Sequence, residues 1–171
     1  MKGLLVSASA KSSGKTTVSI GLAAALARRG RTVQCFKKGP DYIDAMWLRH
    51  ASGRPCHNLD FYTSSHDEIK DAFAAYAADV DLGLVEGVDL EGSDSTAALA
   101  ELLGLPVLLV IDTRGLTRGI APLITGYQQF GFRLRFAGII LNKVGGPRHE
   151  GKLRAAIEHY SDIPVLGAIG R

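Results

Sequence analysis

Short apolar runs alternate with helix-like segments along almost the whole chain, and this alternation limits the possible folds more than any other feature. The apolar runs predict strands at 3–8, 32–37, 81–86, 106–111, 136–141 and 164–168. The segments between them predict helices at 15–29, 66–78, 94–103, 116–130 and 148–159. This order is typical of parallel βαβ units, and unbroken apolar strands indicate a sheet covered on both faces. The sequence therefore predicts an α/β fold: a doubly wound, mainly parallel sheet with helices on both faces, whose ligands bind at the carboxyl ends of the strands.

The composition agrees with a single globular domain over residues 1–171. A chain of this length can bury a substantial core, and 46% hydrophobic with 22% charged residues is typical of a soluble protein. The net charge of +3 is too small to indicate a nucleic-acid partner. The apolar runs are too short to span a membrane, the N-terminus shows no signal peptide, and two cysteines suit a reducing cytoplasm.

The first predicted strand leads into a loop of small residues that ends in Gly14-Lys15-Thr16 and a helix. This order of strand, loop and helix is the context that a phosphate-binding loop requires. Backbone N–H groups at the helix start can surround phosphate oxygens, and the helix dipole favours negative charge there. Lys15 would bridge the terminal phosphates, and Thr16 would place its hydroxyl on Mg²⁺. The expected nucleotide-binding residues of the loop are Ser12, Ser13, Gly14, Lys15, Thr16 and Thr17.

The loop has other small residues at two positions that related loops fill with glycine. One class of such loops reads Gly-Thr/Ser-x-x-x-x-Gly-Lys-Thr, and in that register Ala8 and Ser12 replace common glycines. Both residues are small, so we expect the loop to form. A left-handed backbone at Ser12 would cost on the order of 1 kcal/mol. The affinity for ATP would then be weaker than that of a loop with glycine.

Acidic residues follow the neighbouring predicted strands. Asp41 and Asp44 come after the second strand, and Glu86 ends the third. Carboxylates, a threonine hydroxyl and phosphates form the kind of oxygen site that Mg²⁺ prefers. Asp44 could instead cap a helix that starts near it. Asp112, at the end of the next strand, is either a further acid of this site or a solvated strand end.

Two other features stay open on the sequence alone. Asn142, at the end of the fifth predicted strand, offers a donor and an acceptor that match an adenine edge, or it forms the turn before Gly145-Gly146-Pro147. The segment 38–64 is long for a βα connection, and such connections are often functional. Its alternative interpretation is a surface excursion with one short helix at 44–51.

Several stretches together resemble a known family. They are "SSGKTTVSIGLAAALARRGRTVQCFKKGPDYID", "SGRPCHNLD", "LVEGV", "GIILNKVGGPRHEGKLRAAIE" and "VLGAIGR", and they follow one another in order through the chain. They resemble the N-terminal ATP-dependent synthetase domain of the cobyrinic acid a,c-diamide synthases and, more broadly, the dethiobiotin synthetase superfamily of P-loop ligases. The resemblance implies ATP and Mg²⁺ as cofactors and a tetrapyrrole as substrate. In this chemistry ATP phosphorylates the a- and c-carboxylates, and ammonia from glutamine then displaces phosphate to leave an amide.

The resemblance also implies roles for individual residues. Catalysis, mainly by positioning and charge neutralisation, would depend on Lys15, Asp41, Asp44 and Glu86. The metal would be held by Thr16, Asp41 and Glu86. The carboxylate-substrate region would contain Tyr42, Ile43 and Asp44. Asn142 falls where the superfamily contacts adenine.

Three features depart from the family pattern. The phosphate loop is altered as described above. After "VEGV" the family usually has Met-Gly-Leu, an aromatic residue and Asp-Gly; this chain has residues 89–94 instead, where Asp94 could replace the lost aspartate. The family's C-terminal glutaminase domain has no counterpart, because no Gly-x-Cys-x-Gly elbow occurs, and Cys56 beside His57 is interpreted as an ordinary small residue. We therefore expect a fragment whose ammonia comes from a glutaminase domain or another source.

Three other functions stay open. An amidase of another tetrapyrrole, such as sirohydrochlorin, its nickel complex or sirohaem, would suit the altered segment 88–95. A partitioning-type ATPase switch shares the sheet, but the position of its signature lysine, five residues before the loop lysine, is Ala10 here. A binding module without activity would suit the altered loop. Since relatives in this superfamily often pair, a homodimer is also expected.

Overall fold

The structure is a computed structural model that describes residues 2–88, 95–129 and 134–171. The strands in these ranges are β1 (Gly3–Ala8), β2 (Val33–Lys38), β3 (His57–Leu59), β4 (Leu82–Glu86), β5 (Val107–Asp112), β6 (Phe136–Val144) and β7 (Val165–Gly170). The helices are α1 (Lys15–Arg28), α2 (Ile43–Ser52), α3 (His66–Tyr76), α4 (Thr96–Leu103), α5 (Ile120–Gln129) and α6 (Pro147–Tyr160). Within these ranges no helix is both long and apolar enough to cross a membrane.

All seven strands form one sheet in the order β3-β2-β4-β1-β5-β6-β7, and each pairing in the described ranges is parallel. The chain first moves from β1 through β2 to one edge, and then returns through β4 to the other side of β1. Such a reversal opens a crevice at the carboxyl ends of the central strands. The predicted doubly wound α/β fold is confirmed, with a sheet that is wholly parallel in the described part of the chain.

Helices cover both faces of this sheet. Helices α1 and α2 pack on one face over a core that includes Ala23, Leu48 and Val110. Helices α3 to α6 pack on the opposite face, in one cluster around Phe73 and a second around Ile157. Successive side chains of a strand point to opposite faces. Val110 therefore packs under α1 and α2, whereas its neighbours Leu109 and Ile111 pack in the cluster around Ile157. This two-sided burial explains why the central strands read as unbroken apolar runs.

The segment 38–64 contains a strand that the hydrophobic pattern does not reveal. Strand β3 has only three residues, with the exposed Asn58 in the middle, so no alternation can be recognised in it. It is defined instead by its pairing with β2, in which Lys38 lies opposite Leu59. The short helix considered for this segment exists as α2. Helix α5 begins at Ile120 rather than at residue 116, and the predicted helix ends at 94 and 130 lie outside the described residues.

The carboxyl ends of the central strands bring the candidate residues to one edge of the sheet. Strand β1 ends at Ala8, just before the glycine-lysine loop, and β2 ends just before Asp41. Glu86 is the last residue of β4 and lies opposite Val6 of β1 on one side and Lys37 of β2 on the other. The acid at the end of β4 is therefore fixed between the loop and the acidic segment by backbone pairing alone.

Gly87→Ala is expected to destabilise the fold, because Gly87 packs tightly behind the end of β4. A methyl group there would overlap the Thr96 side chain and lie 3.1 Å from the carbonyl oxygen of Val6. Thr96 would also have to move away from the N–H of Val88, which donates to its hydroxyl at 2.8 Å. Overpacking of this kind costs about 1–3 kcal/mol of unfolding free energy.

Gly21→Ala is the matched control for this prediction. Gly21 lies in α1, and a methyl group there meets no atom within 4 Å. Alanine should therefore raise the unfolding free energy by about 1 kcal/mol, since glycine disfavours a helix interior. Urea unfolding measures both changes, and a loss of stability in both variants, or in neither, would contradict the packing described here.

Candidate functional site

The loop between β1 and α1 adopts the backbone that its sequence predicts. Gly14, directly before α1, has a φ of +92°, and Ser12 has a φ of +61°. Glycine adopts this left-handed region freely, whereas serine there costs on the order of 1 kcal/mol. The left-handed backbone whose cost was considered for Ser12 is therefore present, and the loop keeps its form without the glycine. Lys15 and Thr16 begin α1, where backbone N–H groups have no helical partners.

Asn142, from β6, lies against this loop. Its Nδ2 donates to the carbonyl oxygen of Ser13 (2.8 Å), and its Oδ1 accepts from the N–H of Lys143 (2.9 Å). A methyl group on Gly14 would overlap the Asn142 amide, so this position requires glycine. One Nδ2 hydrogen and one lone pair of Oδ1 remain for a ligand. The adenine contact expected for Asn142 stays compatible with this geometry.

Two acids converge on the hydroxyl of Thr16. The Thr16 hydroxyl donates to Glu86 Oε1 at 2.9 Å, and Asp44 Oδ2 lies 3.3 Å from the same oxygen. Lys15 Nζ lies 3.3 Å from Glu86 Oε1. These residues come from α1, α2 and β4, and all four are among the residues predicted for the site. The fold therefore brings one lysine, one hydroxyl and two carboxylates to a single point.

Lys37 is a further member of this site and was not predicted from the sequence. Its side chain is fully buried, and its Nζ lies 2.6 Å from Glu86 Oε2, 3.5 Å from Asp44 Oδ2 and 3.3 Å from the carbonyl oxygen of Gly87. A buried ammonium is unfavourable unless acids and hydrogen-bond acceptors surround it. One signal could have revealed it: two lysines, Lys37 and Lys38, come at the end of a strand that is otherwise mostly apolar.

Asp41 has the capping role that was considered for Asp44. Its Oδ1 accepts from the N–H groups of Ile43 (2.9 Å) and Asp44 (3.2 Å), so Asp41 caps the start of α2. Its other oxygen, Oδ2, lies 4.0 Å from Lys37 Nζ. Asp44, the residue for which a capping role was considered, instead turns towards Thr16. Capping by Asp41 fixes the first turn of α2 and thereby the position of Asp44.

The charges of the cluster leave it suited to a cation. Three carboxylates face two ammonium groups, which are those of Lys15 and Lys37. In the described ranges, no group of three His, Cys, Asp or Glu side chains forms a metal site on its own. A divalent cation here would need further ligands, as Mg²⁺ does when it combines one or two protein oxygens with phosphates and water.

Asp112 takes no part in this cluster. Its Oδ2 lies 2.7 Å from Arg114 Nη2 and 2.9 Å from Lys143 Nζ. Hydrogen bonds from Arg114 and then Lys143 hold the pKa of this carboxyl well below its usual range. Asp112 is therefore neither a solvated strand end nor an acid of the Glu86 cluster; it belongs to an ion-pair network on the opposite side of the loop. Asp94 lies outside the described residues.

The outer face of α2 presents large apolar side chains beside the acids. Their exposed fractions are 79% for Tyr42, 53% for Ile43, 58% for Met46 and 51% for Trp47. Single exposed apolar residues are common, but a contiguous group marks an interaction surface. Because Asp44 lies in the first turn of the same helix, this surface directly adjoins the acidic cluster.

The cysteines do not have the environment of a nucleophile. Burial raises the pKa of Cys35 to about 11 and that of Cys56 to about 12. Only the thiolate reacts readily, so both thiols are inert at neutral pH. His57, the neighbour of Cys56, stacks on Tyr76 with 3.7 Å between the ring centroids. This supports the interpretation of Cys56 as an ordinary residue.

A parallel sheet whose first strand passes through a Gly-Lys-Thr loop into a helix, with acids at the adjoining strand ends, defines a P-loop nucleotide-binding domain. A comparison with protein families agrees with this class. Residues 5–171 match the CobQ/CobB/MinD/ParA nucleotide binding domain, and the chain belongs to this family.

The chain is also similar to curated proteins with more specific names. The chain is 51% identical to the cobyrinate a,c-diamide synthase of Magnetococcus marinus, over 98% of this chain and 38% of the relative. It is 43% identical to that of Methanosarcina acetivorans, over 98% of this chain and 36% of the relative. It is 42% identical to the hydrogenobyrinate a,c-diamide synthase of Brucella ovis, over 100% of this chain and 41% of the relative. The resemblance stated from the sequence is thus confirmed, and the chain spans well under half the length of these relatives.

Solved structures share the fold at low sequence identity. Chloroplast FtsY from Physcomitrella patens superposes with a TM-score of 0.67 and 19% identity, over 96% of this chain and 57% of that one. The signal recognition particle 54 kDa protein of Aeropyrum pernix K1, in complex with GDP, gives 0.67 and 18%, over 99% and 42%. At this identity the likeness supports the P-loop fold alone.

Lys37→Met is expected to lower the unfolding free energy by about 3 kcal/mol, because it leaves the buried Glu86 carboxylate without its nearest cation. The double variant Lys37→Met/Glu86→Gln should recover much of this loss, since the amide carries no charge. Urea unfolding at neutral pH without Mg²⁺ gives the stabilities of all four proteins in the cycle. Additive effects of the two substitutions would contradict direct pairing.

Proposed function

We propose that this domain binds ATP and Mg²⁺ and activates a carboxylate of a tetrapyrrole as an acyl phosphate, which ammonia then converts to an amide. The observation that carries the proposal is the convergence of Lys15, Thr16, Asp44 and Glu86, which adjoins the exposed apolar face of α2. A nucleotide site alone would not need the apolar face of α2. A carboxylate ligase needs both the charged cluster and a substrate surface, because its acceptor must meet the terminal phosphate of ATP.

The phosphate loop supports the nucleotide part of the proposal. Lys15 is the first residue of α1 and follows the left-handed Gly14. Its side chain could neutralise charge on the transferred phosphoryl group. Backbone N–H groups of the first helical turn would hold the other phosphates. Asn142 touches the loop and retains a donor and an acceptor, which would suit the adenine edge of ATP.

The oxygen atoms around Thr16 fit Mg²⁺ by their chemistry. Glu86 and Asp44 each lie within hydrogen-bond distance of the Thr16 hydroxyl, and all three groups offer the hard oxygen atoms that Mg²⁺ prefers. When bound, the ion would neutralise negative charge on the phosphates. Asp41 is a weaker ligand candidate on this geometry, because one of its oxygens already caps α2.

The chemistry needs little from the protein beyond position and charge. A carboxylate oxygen of the substrate attacks the γ-phosphorus of ATP, the bond to the bridging oxygen breaks, and ADP leaves. Ammonia then attacks the acyl carbon, and inorganic phosphate leaves with the former carboxylate oxygen. Lys15 would offset the electrostatic repulsion between the two anionic reactants, the substrate carboxylate and ATP. Neither step needs a protein nucleophile.

The face of α2 supports a large, flat and partly apolar substrate. Tyr42, Ile43, Met46 and Trp47 would contact the macrocycle, and Arg49 and His50 in the last turn of α2 would attract its peripheral carboxylates. The relatives are named for cobyrinate and hydrogenobyrinate, which favours these substrates over sirohydrochlorin or sirohaem. The names also favour amidation over a partitioning-type switch, and Ala10 stands where the switch lysine would be.

The ammonia would come from a glutaminase. The relatives are more than twice as long as this chain, so the remaining part of such a protein could supply it. Cys56 would not supply it, because burial raises the pKa of its thiol to about 12.

We also propose that the protein is located in a reducing cytoplasm, since both thiols are free.

The function is tested by following oxygen from substrate to phosphate. The chain is incubated with ATP, Mg²⁺, an ammonium salt and cobyrinic or hydrogenobyrinic acid labelled with ¹⁸O in its carboxylates. We expect mass spectrometry to find ¹⁸O in the inorganic phosphate and an amide on the product. Release of unlabelled phosphate alone would show simple ATP hydrolysis and would overturn the proposal.

Lys15→Ala should reduce ATP turnover by more than about 100-fold, because it removes the cation nearest the transferred phosphoryl group. The melting temperature of the unliganded protein should change little, since Lys15 is partly exposed. Lys11→Ala, an exposed lysine of the same loop, is the control and should retain turnover. Loss of activity in the Lys11 variant with retention in the Lys15 variant would reverse the assignment.

Asp44→Asn is expected to raise the Mg²⁺ concentration for half-maximal turnover by about tenfold, because an amide is a poorer partner for the cation than a carboxylate. Asp41→Asn should have a smaller effect, since asparagine caps helices about as well as aspartate. Titration of turnover with MgCl₂ for both variants measures the difference. The opposite order would make Asp41 the metal ligand.

A further inference from the structure

Two residues other than glycine adopt left-handed backbone in the described ranges, and they contact each other. Ser12 has a φ of +61° and Lys143 has a φ of +58°. The Nζ of Lys143 donates to the carbonyl oxygen of Ser12 at 2.7 Å. Left-handed backbone is unfavourable for both residue types, and such strain persists only where surrounding contacts hold it. The contact between the two sites therefore calls for a functional explanation.

The Lys143 side chain is oriented by the ion-pair network at the end of β5. Asp112 Oδ2 accepts from Lys143 Nζ at 2.9 Å and lies 2.7 Å from Arg114 Nη2. These contacts leave Asp112 ionised, with its pKa well below the usual range because of the hydrogen bonds from Arg114 and Lys143. Lys143 is thus held between a fixed carboxylate and the loop, and its side chain is less than one third exposed.

The contact determines how the loop closes. A trans peptide places its carbonyl and N–H on opposite sides, so the Ser12 carbonyl directed to Lys143 leaves the N–H of Ser13 on the far side. There this N–H donates to the carbonyl oxygen of Ala10 at 3.3 Å, and the Ser13 hydroxyl donates to the same oxygen at 2.7 Å. The turn that presents the loop to a phosphate is therefore closed only while Ser12 keeps its conformation.

We propose that Lys143, oriented by Asp112, is a positioning residue for the nucleotide phosphates: it holds Ser12 in the left-handed form that a glycine would adopt unaided. The inference rests on the proposed function, because it assumes that this loop binds ATP. Lys143 acts through the loop backbone, at a separate point from the cluster of Thr16 and Glu86. It compensates for the glycine that the loop lacks, and this adds the end of β6 to the determinants of nucleotide affinity.

The inference predicts a specific rescue. Lys143→Met should weaken binding of Mg-ATP about tenfold, as expected for loss of one charged hydrogen bond, with a smaller change in turnover at saturating ATP. Ser12→Gly in the same chain should restore about fivefold of that affinity, because glycine adopts the left-handed form without a steric penalty. Ser12→Gly alone should bind at least as tightly as the unaltered protein. Lys152→Met, on the exposed surface of α6, is the control and should bind normally.

Titration calorimetry with Mg-ATP on all five proteins decides the matter. Unchanged affinity in Lys143→Met would overturn the inference, and so would a loss that Ser12→Gly does not relieve, because Lys143 would then act on the nucleotide itself. If Lys143→Met does not fold, Asp112→Asn tests the same contact more gently. If the unaltered protein does not bind Mg-ATP, the proposed function fails. The coupling of positions 12 and 143 in urea unfolding of the unliganded proteins then still decides whether Lys143 holds Ser12.

Discussion

The buried pair of Lys37 and Glu86 is the interaction on which the site depends. Both side chains are fully buried, and their charged atoms lie 2.6 Å apart. Neither charge is tolerable alone at this depth, so each fixes the rotamer of the other. Lys37 and Glu86 are also opposite one another in the β2–β4 ladder, so strand pairing alone brings them into contact. The remaining groups are arranged around this pair.

The edge of the sheet has two regions with separate tasks. On the side of β2 and β4, the acids gather around Thr16 and adjoin the apolar face of α2, where a substrate carboxylate and a phosphate could meet. On the side of β5 and β6, Asn142 and Lys143 donate to successive carbonyl groups of the loop. The loop lies between the two. In the proposed reaction the first region would supply the reacting groups, and the second would hold the loop in shape. This division follows from the position of β1 at the centre of the strand order.

Much of this arrangement could be predicted from local sequence signals. Gly14, Lys15 and Thr16 predicted the phosphate loop. Glu86 was recognised as an acid at the end of an apolar strand. Lys37 was not predicted because a lysine at the end of an apolar strand is usually solvated, and its sequence context does not show that it is buried. Asp41 and Asp44 were recognised as a pair, but the tasks of cap and cluster member could not be divided between them, since both lie within reach of the start of α2. Strand β3 was missed because three residues are too few to show a period.

The sequence by itself determined the alternation of strands and helices, the phosphate loop and the cost that a left-handed backbone would have at Ser12, because each of these depends on residues that are neighbours in the chain. Only the tertiary structure decided that Lys37 pairs with the acids, that Asp112 belongs to another network, and that Lys143 contacts a loop residue 131 positions away. Those outcomes depend on which strands become neighbours. Hydrophobic periodicity determines which face of a strand is buried, but it contains no information about the partner beside it.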